Sequence, residues 1–343
     1  MKKKVAILFG GQSTEHEVSR VSAASVLKNI DTSKYDLFPI GITKQGEWFE
    51  YTGSVDKIEN GEWEKDEFYK SPNGQSVLFN REVDVVFPVM HGLYGEDGTI
   101  QGLCKLVGIP CVGPGVLSSS VCMDKVYTKY VLEHFNIKQA DYVIVNAHEY
   151  KNSKEDIIKE IENKLGYAVF IKPSNSGSSV GITKAHDRKE LEAGLEEAMK
   201  YDRKILVEEA LNAREIEVAV LGNDEPKAAV PGEIVPAKEF YDYEAKYENE
   251  ASKLLIPANL NEADLEKIKS IAIEVYKALD CAGMSRVDFL VDKDTTEMYL
   301  NEVNTIPGFT SISMYPKLWG ASGKEYSKLI DDLIELAINR NNA

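Results

Sequence analysis

The sequence predicts an α/β protein with α+β lobes, built from several domains, and three observations support this fold class. Apolar runs at residues 5–9, 35–42 and 83–90 alternate with helical patterns, as in an open sheet of mostly parallel strands. A strand-rich middle segment carries helices of its own. The length of 343 residues exceeds one typical domain. We therefore predict three domains, at residues 1–117, 118–207 and 208–343.

The composition indicates an acidic, cytoplasmic protein. Forty basic and fifty-six acidic residues give a formal net charge of −16, which argues against nucleic acid or an anionic membrane as the main partner. The amino terminus has only a short apolar run before Gly10, so it is not a signal peptide, and no segment approaches the roughly 18 apolar residues of a membrane span. The cysteines lack metal-ligand spacing, and we expect reduced thiols in the core (Cys104, Cys111, Cys122 and Cys281).

A predicted β-hairpin near the carboxyl terminus organises the last domain. Residues 285–292 and 298–304 are mostly apolar and β-prone, and the short polar segment between them is typical of a hairpin turn. We expect the register in which Val291 pairs with Tyr299. Side chains alternate between the two faces of a strand, so residues two apart share a face.

Four polar residues of this hairpin share one face. In the expected register Asp288 lies opposite Glu302, and Arg286 lies opposite Asn304. Two carboxylates and an amide oxygen suit a hard cation such as Mg²⁺, which takes oxygen ligands and keeps contacts to substrate phosphates. A solvated sheet face with paired charges is the alternative.

A glycine- and hydroxyl-rich turn at residues 177–181 is a candidate phosphate-binding element. Consecutive backbone N–H groups and two hydroxyls can surround phosphate oxygens, although a plain hairpin turn has the same composition. Lys172 on the preceding strand and Lys125 on an earlier helix could neutralise phosphate charge, or be ordinary surface lysines. The sequence has neither a Walker A motif nor Gly-x-Gly-x-x-Gly, which disfavours P-loop and dinucleotide-binding folds.

Further candidate residues follow the ends of predicted strands. Glu15 and His91 come after strands of the first sheet, where open α/β sheets bind ligands. A dipole-stabilised acid at a helix start and a core histidine are the alternatives. Residues 208–211 could form hydrogen bonds with the edge of a purine base, and Glu215 could bind a ribose. The alternative is that residues 208–211 are an ordinary exposed strand end. The aperiodic segment 238–254 is long enough to be a functional loop.

Taken jointly, these motifs resemble the ATP-grasp fold, and more closely the D-alanine–D-alanine ligases. The motifs occur in family order and cover essentially the whole chain, so the set is highly specific although each member alone is weak. The matching segments are residues 8–19, 91–98, 123–125, 172–174, 177–181, 241–247, 286–288 and 304–311.

The resemblance implies that ATP is bound between the middle and last domains, with two Mg²⁺ ions that Mn²⁺ could replace. The implied phosphate contacts are Lys125, Lys172, Ser179 and Lys246. The implied nucleoside contacts are Glu208, Glu209, Ala210 and Leu211 for adenine and Glu215 for the ribose. The implied metal ligands are Asp288, Glu302 and Asn304, with Glu302 bridging the ions.

The resemblance also implies the reaction, in which two D-alanine molecules are joined through a D-alanyl phosphate as a precursor of peptidoglycan. The implied substrate groups are Glu15, linked to Ser178 and Tyr247, for the first ammonium, His91 beside it, and Ser313 with Met314 for the second carboxylate. The implied oxyanion donors are Arg286 and the Gly308 N–H. A homodimer is implied as well.

Two positions depart from the family pattern, because Ile312 replaces a common histidine and Met314 a common leucine. Both line the second-substrate side, so D-alanine–D-serine ligation, or another ATP-grasp carboxylate–amine ligation, stays open. Tyr247 favours an amine nucleophile, since depsipeptide-forming relatives tend to carry phenylalanine there. A further hypothesis is that the protein is a catalytically silent, nucleotide-binding relative of these enzymes. The complete set of metal ligands argues against it.

Overall fold

The structure is a computed structural model that describes residues 2–66, 70–72, 74–80, 82–177, 179–235 and 253–341. Its strands form three sheets flanked by helices, which confirms the predicted mixed α/β fold class. Ser178, Lys246 and Tyr247 lie outside the described residues, together with residues 238–252 of the predicted functional loop. No described helix is both long and apolar enough to cross a membrane.

The first sheet lies in the amino-terminal part of the chain. Its strands are β1 (Lys3–Gly10), β2 (Tyr35–Ile42), β3 (Trp48–Tyr51), β4 (Lys70–Pro72) and β5 (Val85–Pro88), accompanied by α1 (His16–Asn29), α2 (Val55–Asn60), α3 (Gly74–Phe79) and α4 (Thr99–Val107). The order is β4-β3-β2-β1-β5, with β1 parallel to both neighbours and antiparallel pairs toward β4. Glu15 and His91 therefore follow the carboxyl ends of β1 and β5.

The polar, aromatic-spotted sequence of residues 53–75 predicts a loop or excursion, and the structure shows that this prediction is wrong in part. The segment contains α2, a 3₁₀ helix (Glu62–Lys65) and β4. Ser54 caps α2 by accepting a hydrogen bond from Asp56 N at 3.2 Å. Trp63 is fully buried and packs edge-on against Phe9. One buried indole thus ties a polar segment to the sheet.

The central sheet is antiparallel throughout. Its strands are β6 (Tyr142–Asn146), β7 (Val169–Pro173), β8 (Thr183–Ala185) and β9 (Lys204–Glu209), in the order β6-β9-β7-β8. The helices before and within it are α5 (Val116–Met123), α6 (Lys125–His134), α7 (Ala147–Leu165) and α8 (Arg188–Ala198). The sequence pattern predicts one helix from about Ser118 to His134, but this helix is broken, because the Asp124 side chain accepts hydrogen bonds from Val126 N and Tyr127 N. Strand β9 also crosses the predicted boundary at residue 207, since Glu208 pairs with both neighbouring strands.

The last sheet has the order β13-β12-β10-β14-β15, with β11 paired to β10. Its strands are β10 (Ala213–Gly222), β11 (Lys227–Ala228), β12 (Gly232–Val235), β13 (Lys253–Leu255), β14 (Gly283–Asp292) and β15 (Met298–Asn304). Its helices are α9 (Glu262–Ala278), α10 (Met314–Ala321) and α11 (Tyr326–Asn341). The sequence predicts a loop at residues 305–314, and the structure agrees except at Met314, which begins α10.

The hairpin of β14 and β15 has the predicted register at its polar end. Asp288 pairs with Glu302, and Arg286 pairs with Asn304. At the turn end the expectation is wrong, because Val291 pairs with Met298 instead of Tyr299. A β-bulge absorbs the difference, since Phe289 pairs with Leu300 and Asn301 is the extra residue.

Four hydrophobic clusters are found among the described residues, and two of them show how the three sheets are joined. One continuous core joins the first sheet to the last sheet and contains Val5, Met284 and Ile306, together with residues of α10 and α11. Arg340 of α11 reaches the first sheet's connections by donating to Gly113 O at 2.9 Å. The central sheet packs on α7 and α8 in a core of its own. The cleft between the central and last sheets therefore separates independently packed layers.

Candidate functional site

A small cavity lies where α5 and α6, the central sheet and the last sheet meet. It is lined by Cys122, Lys125, Thr128, Lys129, Gln139, Lys172, Leu206, Glu208, Asn301 and Glu302. Residues predicted for the phosphates, the adenine and the metal thus come together from distant parts of the chain. A larger surface pocket beside α11 is lined by none of the predicted site residues.

Glu208 is the centre of a buried ion-pair cluster in this cavity. Its Oε1 lies 2.5 Å from Lys129 Nζ, and its Oε2 lies 2.6 Å from Lys172 Nζ. Burial raises the pKa of Glu208, but the two ammonium groups outweigh burial and lower the pKa to about 2, so the carboxylate is ionised. Both oxygens are engaged by lysines, and the adenine contact of Glu208 stays a prediction.

Lys172 connects the cavity to the last sheet. Its Nζ donates to Asn301 Oδ1 at 3.4 Å. Burial lowers the pKa of Lys172, but the carboxylates of Glu208, Glu302 and Glu215 outweigh burial and raise it. The predicted ribose residue and a predicted metal ligand therefore lie within electrostatic reach of one buried ammonium group.

Lys125 anchors the start of α6 to the segment that enters the glycine-rich turn. Its Nζ donates to Ser176 O at 2.5 Å, and Ser174 Oγ donates to Asp124 at 2.5 Å. Within the turn, Ser179 has a φ of 60°, in the left-handed region. Val180 N donates to Gly177 O at 3.1 Å and Ile182 N to Ser179 O at 3.2 Å, so two N–H groups are used within the turn and its phosphate contact stays a prediction.

The strand end predicted to read adenine already uses part of its hydrogen-bonding capacity within the protein. Glu209 Oε1 accepts a hydrogen bond from Asp141 N at 2.9 Å, and Ala210 N donates to Ala168 O at 3.0 Å. Leu211 is partly buried beside them. An adenine bound at residues 208–211 would therefore have to contact the other backbone groups of this stretch.

The polar face of the last sheet carries a row of three carboxylates. Glu217 of β10, Asp288 of β14 and Glu302 of β15 are directly opposed across neighbouring strands. Arg286 donates to Asp288 through Nε at 2.8 Å and Nη2 at 2.6 Å, and its Nε also lies 3.1 Å from Glu217 Oε2. Burial lowers the pKa of Arg286, but Asp288 and Glu217 outweigh burial and raise it, so the guanidinium is charged.

The predicted metal ligands lie side by side on this face. Asn304 Nδ2 donates to Asp288 Oδ2 at 2.8 Å. Within the described ranges no three Asp, Glu, His or Cys side chains converge as a metal-binding group. The set needs only two carboxylates and one amide oxygen, and with substrate phosphates these donors fit Mg²⁺. Binding would require Asp288 to exchange Arg286 for the cation and Asn304 to turn its oxygen inward.

Glu15 reaches from the first sheet to the glycine-rich turn. Its side chain is buried, and a Cβ added to Gly92 would lie 2.4 Å from Glu15 Oε2. A Cβ added to Gly177 would lie 3.0 Å from the same oxygen. The carboxylate therefore touches both glycines, and a side chain at either position would displace it. This places the predicted ammonium-binding residue beside Gly177.

His91 is buried, with both ring nitrogens bonded inside the protein. Nδ1 lies 2.9 Å from Ile306 O, and Nε2 lies 3.0 Å from Ser22 Oγ. Because a carbonyl only accepts, Nδ1 carries the proton in this network. Burial lowers the pKa of His91, so the ring is neutral and Nε2 accepts from the Ser22 hydroxyl. His91 thus orders the loop after β15, and its substrate contact stays a prediction.

The residues predicted for the oxyanion and the second carboxylate are adjacent. A Cβ added to Gly308 would lie 2.7 Å from Ser313 Oγ, and Ser313 Oγ accepts from Thr310 N at 3.0 Å. Ser313 precedes α10 as its N-cap residue. The Met314 side chain is buried in the core, so a substrate contact of this residue, which stays a prediction, would have to use the backbone N–H at the start of α10. Ile312 is 60% exposed beside them.

Three polar residues of the cleft were absent from the sequence prediction. Lys129 lies one helical turn after Lys125, and this spacing could have indicated a shared face. Glu217 lies two residues after Glu215 on β10, where strand alternation gives the same signal. Asn301 reaches Lys172 from the bulge, for which the sequence carries no evident signal.

The comparisons with known proteins agree over the whole chain. A family model described as "D-ala D-ala ligase N-terminus" matches residues 4–114, and one described as "D-ala D-ala ligase C-terminus" matches residues 131–335. A "D-alanine--D-alanine ligase" of Clostridium acetobutylicum is 92% identical over 343 residues, covering 100% of both chains. One of Clostridium novyi is 80% identical, again covering 100% of both chains.

Solved structures give the same result. The chain is similar to the VanG D-Ala:D-Ser ligase from Enterococcus faecalis, with a TM-score of 0.89 and 43% identity over 98% of this chain and 100% of that one. It is also similar to the D-alanine-D-alanine ligase from Coxiella burnetii, with a TM-score of 0.86 and 34% identity over 99% of this chain and 95% of that one. On its sequence and its fold, this chain belongs to the D-alanine–D-alanine ligase family.

Proposed function

We propose that the protein joins two D-alanine molecules to D-alanyl-D-alanine at the expense of ATP. The observation that carries the proposal is the cavity in which Lys125, Lys172, Glu208 and Glu302 meet between two independently packed sheets. The cavity is too small for a nucleotide as it stands, so ATP would enter by widening it between the two sheets, and the chain belongs to a ligase family. The product would supply peptidoglycan synthesis in the cytoplasm.

In the first step the carboxylate of one D-alanine attacks the γ-phosphorus of ATP, giving D-alanyl phosphate and ADP. Lys125 and Lys172 spread the charge of the transferring group, which is most of what phosphoryl transfer requires. Lys246 would join them, and Glu15 would hold the ammonium of this D-alanine. Mg²⁺ held by Asp288, Glu302 and Asn304 would bind phosphate oxygens and neutralise their charge.

In the second step the amine of the other D-alanine attacks the acyl carbon, loses a proton, and the phosphate leaves. The tetrahedral intermediate carries an oxyanion, which Arg286 and the Gly308 N–H would stabilise. Donors that are preorganised toward a developing charge usually supply the largest single contribution to such a reaction. Ser313 and the N–H at the start of α10 would receive the second carboxylate.

The same proposal covers the organisation of the molecule. We propose three domains, one for each sheet, with the nucleotide between the central and last ones. We also propose a homodimer, which is consistent with exposed apolar side chains on the first sheet's helices, such as Leu106 (86% exposed) and Phe79 (60% exposed). Light scattering coupled to size-exclusion chromatography would measure the mass of the protein in solution. If this surface forms the dimer interface, Leu106→Glu should lower that mass to the monomer's.

D-alanine–D-serine ligation is the second candidate. It is favoured by the similarity to the VanG D-Ala:D-Ser ligase and by the departures at Ile312 and Met314. Mass spectrometry of the products formed with D-alanine and D-serine in equal amounts would decide between the two acceptors. A product that is mainly D-alanyl-D-serine would overturn the first assignment.

The proposed activity is tested by phosphate release from ATP and Mg²⁺ on addition of D-alanine. L-alanine is the matched control for the substrate, and Asp288→Ala is the matched control for the protein. We expect release with D-alanine alone and only with the unaltered chain. Absence of D-alanine-dependent release from the unaltered protein would contradict the proposal.

A further inference from the structure

Two residues of the loop that follows β15 have both backbone groups, the N–H and the C=O, hydrogen-bonded to side chains. Ile306 N donates to Glu96 Oε1 at 2.7 Å, and Ile306 O accepts from His91 Nδ1 at 2.9 Å. Phe309 N donates to Ser22 Oγ at 3.3 Å, and Phe309 O accepts from Tyr326 Oη at 2.6 Å. Ile306 and Phe309, which are separated by Pro307 and Gly308, are therefore fixed at four points.

The segment between these anchors has one backbone donor left. Pro307 has no N–H, and the N–H groups of Ile306 and Phe309 are used by side chains. Among the described residues none accepts a hydrogen bond from Gly308 N. The four anchors thus present a single N–H, that of Gly308, at a defined place beside Ser313.

The anchors come from outside the last sheet, to which the loop itself belongs. Ser22 lies on α1, His91 and Glu96 follow β5, and Tyr326 begins α11. Ser22 is fully buried and joins two anchors, since its hydroxyl accepts from Phe309 N and donates to His91 Nε2. Tyr326 Oη is in turn 3.1 Å from Ser25 Oγ on α1. Three of the four anchoring side chains therefore belong to the amino-terminal part of the molecule, and the fourth, Tyr326, contacts that part through Ser25.

We infer that Ser22 and Tyr326 are positioning residues for the oxyanion donor at Gly308. The inference rests on the proposed function, because it gives the Gly308 N–H a role in the second step. Neither side chain touches the reacting atoms; each acts through the Phe309 peptide. A displacement of about 1 Å at a reacting group can lower a rate by roughly 10²-fold, so even a partial shift of the Gly308 N–H should be measurable.

Tyr326→Phe is the main test, because it keeps the ring against Phe309 and removes only the hydroxyl. Its matched control is Tyr276→Phe, since Tyr276 Oη also donates to a backbone carbonyl, Gly222 O, at 2.7 Å in the buried core. Ser22→Ala is the second variant. Each protein is measured for kcat, for KM of ATP and D-alanine, and for affinity toward a phosphinate dipeptide. The anionic oxygen of its tetrahedral phosphorus mimics the oxyanion of the intermediate.

Tyr326→Phe and Ser22→Ala should lower kcat and phosphinate affinity together, by about 10-fold each, with little change in KM for ATP. Tyr276→Phe should lower stability alone. An equal loss of affinity for ATP, D-alanine and the phosphinate would overturn the positioning role. The same changes in kcat and phosphinate affinity in Tyr326→Phe and Tyr276→Phe would overturn it as well. Absence of D-alanine-dependent phosphate release by the unaltered protein would overturn the proposed function and this inference together, so the two failures are distinguishable.

Discussion

Raising the pH should destabilise the protein through a single carboxylate, that of Glu96. Its Oε1 accepts from Ile306 N at 2.7 Å and its Oε2 from Gly92 N at 3.1 Å. Burial raises the pKa of Glu96, and repulsion by Glu15 raises it further. The two backbone donors and Arg286 offset these effects only in part, so the pKa rises from 4.5 to about 8.

The loss of stability is expected between these two pKa values. Below pH 4.5 Glu96 is protonated in the folded and the unfolded chain, so its contribution is fully present. As the pH rises toward about 8, the unfolded chain releases the proton while the folded chain keeps it. The free energy of unfolding then falls by about 1.4 kcal/mol per pH unit, or by about 5 kcal/mol over the whole interval.

Urea unfolding of the unaltered protein and of Glu96→Gln, from about pH 5 to about pH 9, measures this effect. The amide of the variant cannot accept from both backbone N–H groups, so the variant loses about 1–3 kcal/mol at every pH. We expect it to be the less stable protein at the acidic end and the more stable one at the alkaline end. If the unfolding free energies of the two proteins changed in parallel with pH, the reasoning would be refuted. When both proteins also carry Glu15→Gln, their difference in unfolding free energy should depend less on pH, because the Glu15 charge no longer raises the pKa of Glu96.

Three further predictions concern the cleft. Asp288→Ala should abolish D-alanine-dependent phosphate release while circular dichroism stays unchanged; undiminished release would refute the metal assignment. Lys129→Met should lower the free energy of unfolding by about 3 kcal/mol, because it breaks a buried ion pair with Glu208, whereas Lys138→Met at an exposed pair should change little. Equal urea midpoints for the two lysine variants would count against the buried cluster. Tyr247→Phe should shift the acceptor toward hydroxy acids, and an unchanged product spectrum in mass spectrometry would speak against a role for Tyr247.

Much of the fold could be predicted because its signals are local. Strand β2 runs from Tyr35 to Ile42, which are the bounds of the apolar run in the sequence. Asp124 before an apolar helical pattern is a local capping signal for the break between α5 and α6. Ser313 ahead of α10 is different, because its side chain makes no capping hydrogen bond to the helix and bonds Thr310 instead. The start of α10 depends on burial of Met314 and Tyr315 in the shared core, which is not a local signal.

The site was predicted less completely because its contacts are long-range. Asp288 lies opposite Glu302 although the expected pairing of Val291 was wrong. A slip of one residue at the polar end would turn these side chains into the core, so burial fixes the register there and the bulge absorbs the mismatch near the turn. No local pattern could show that Lys129 would pair with Glu208. That contact depends on how α6 packs against the central sheet.

The two cores also determine where the molecule can open. The first and last sheets share one apolar core, and separating them would expose that surface at about 25 cal/mol per Å². The central sheet meets the last sheet in the cleft partly through polar contacts, such as that of Lys172 with Asn301. Such contacts can be exchanged for ligand or water at small net cost. A nucleotide entering the cleft would therefore displace the central sheet and leave Ile306 and Gly308 held in place, so nucleotide binding and oxyanion geometry can vary independently.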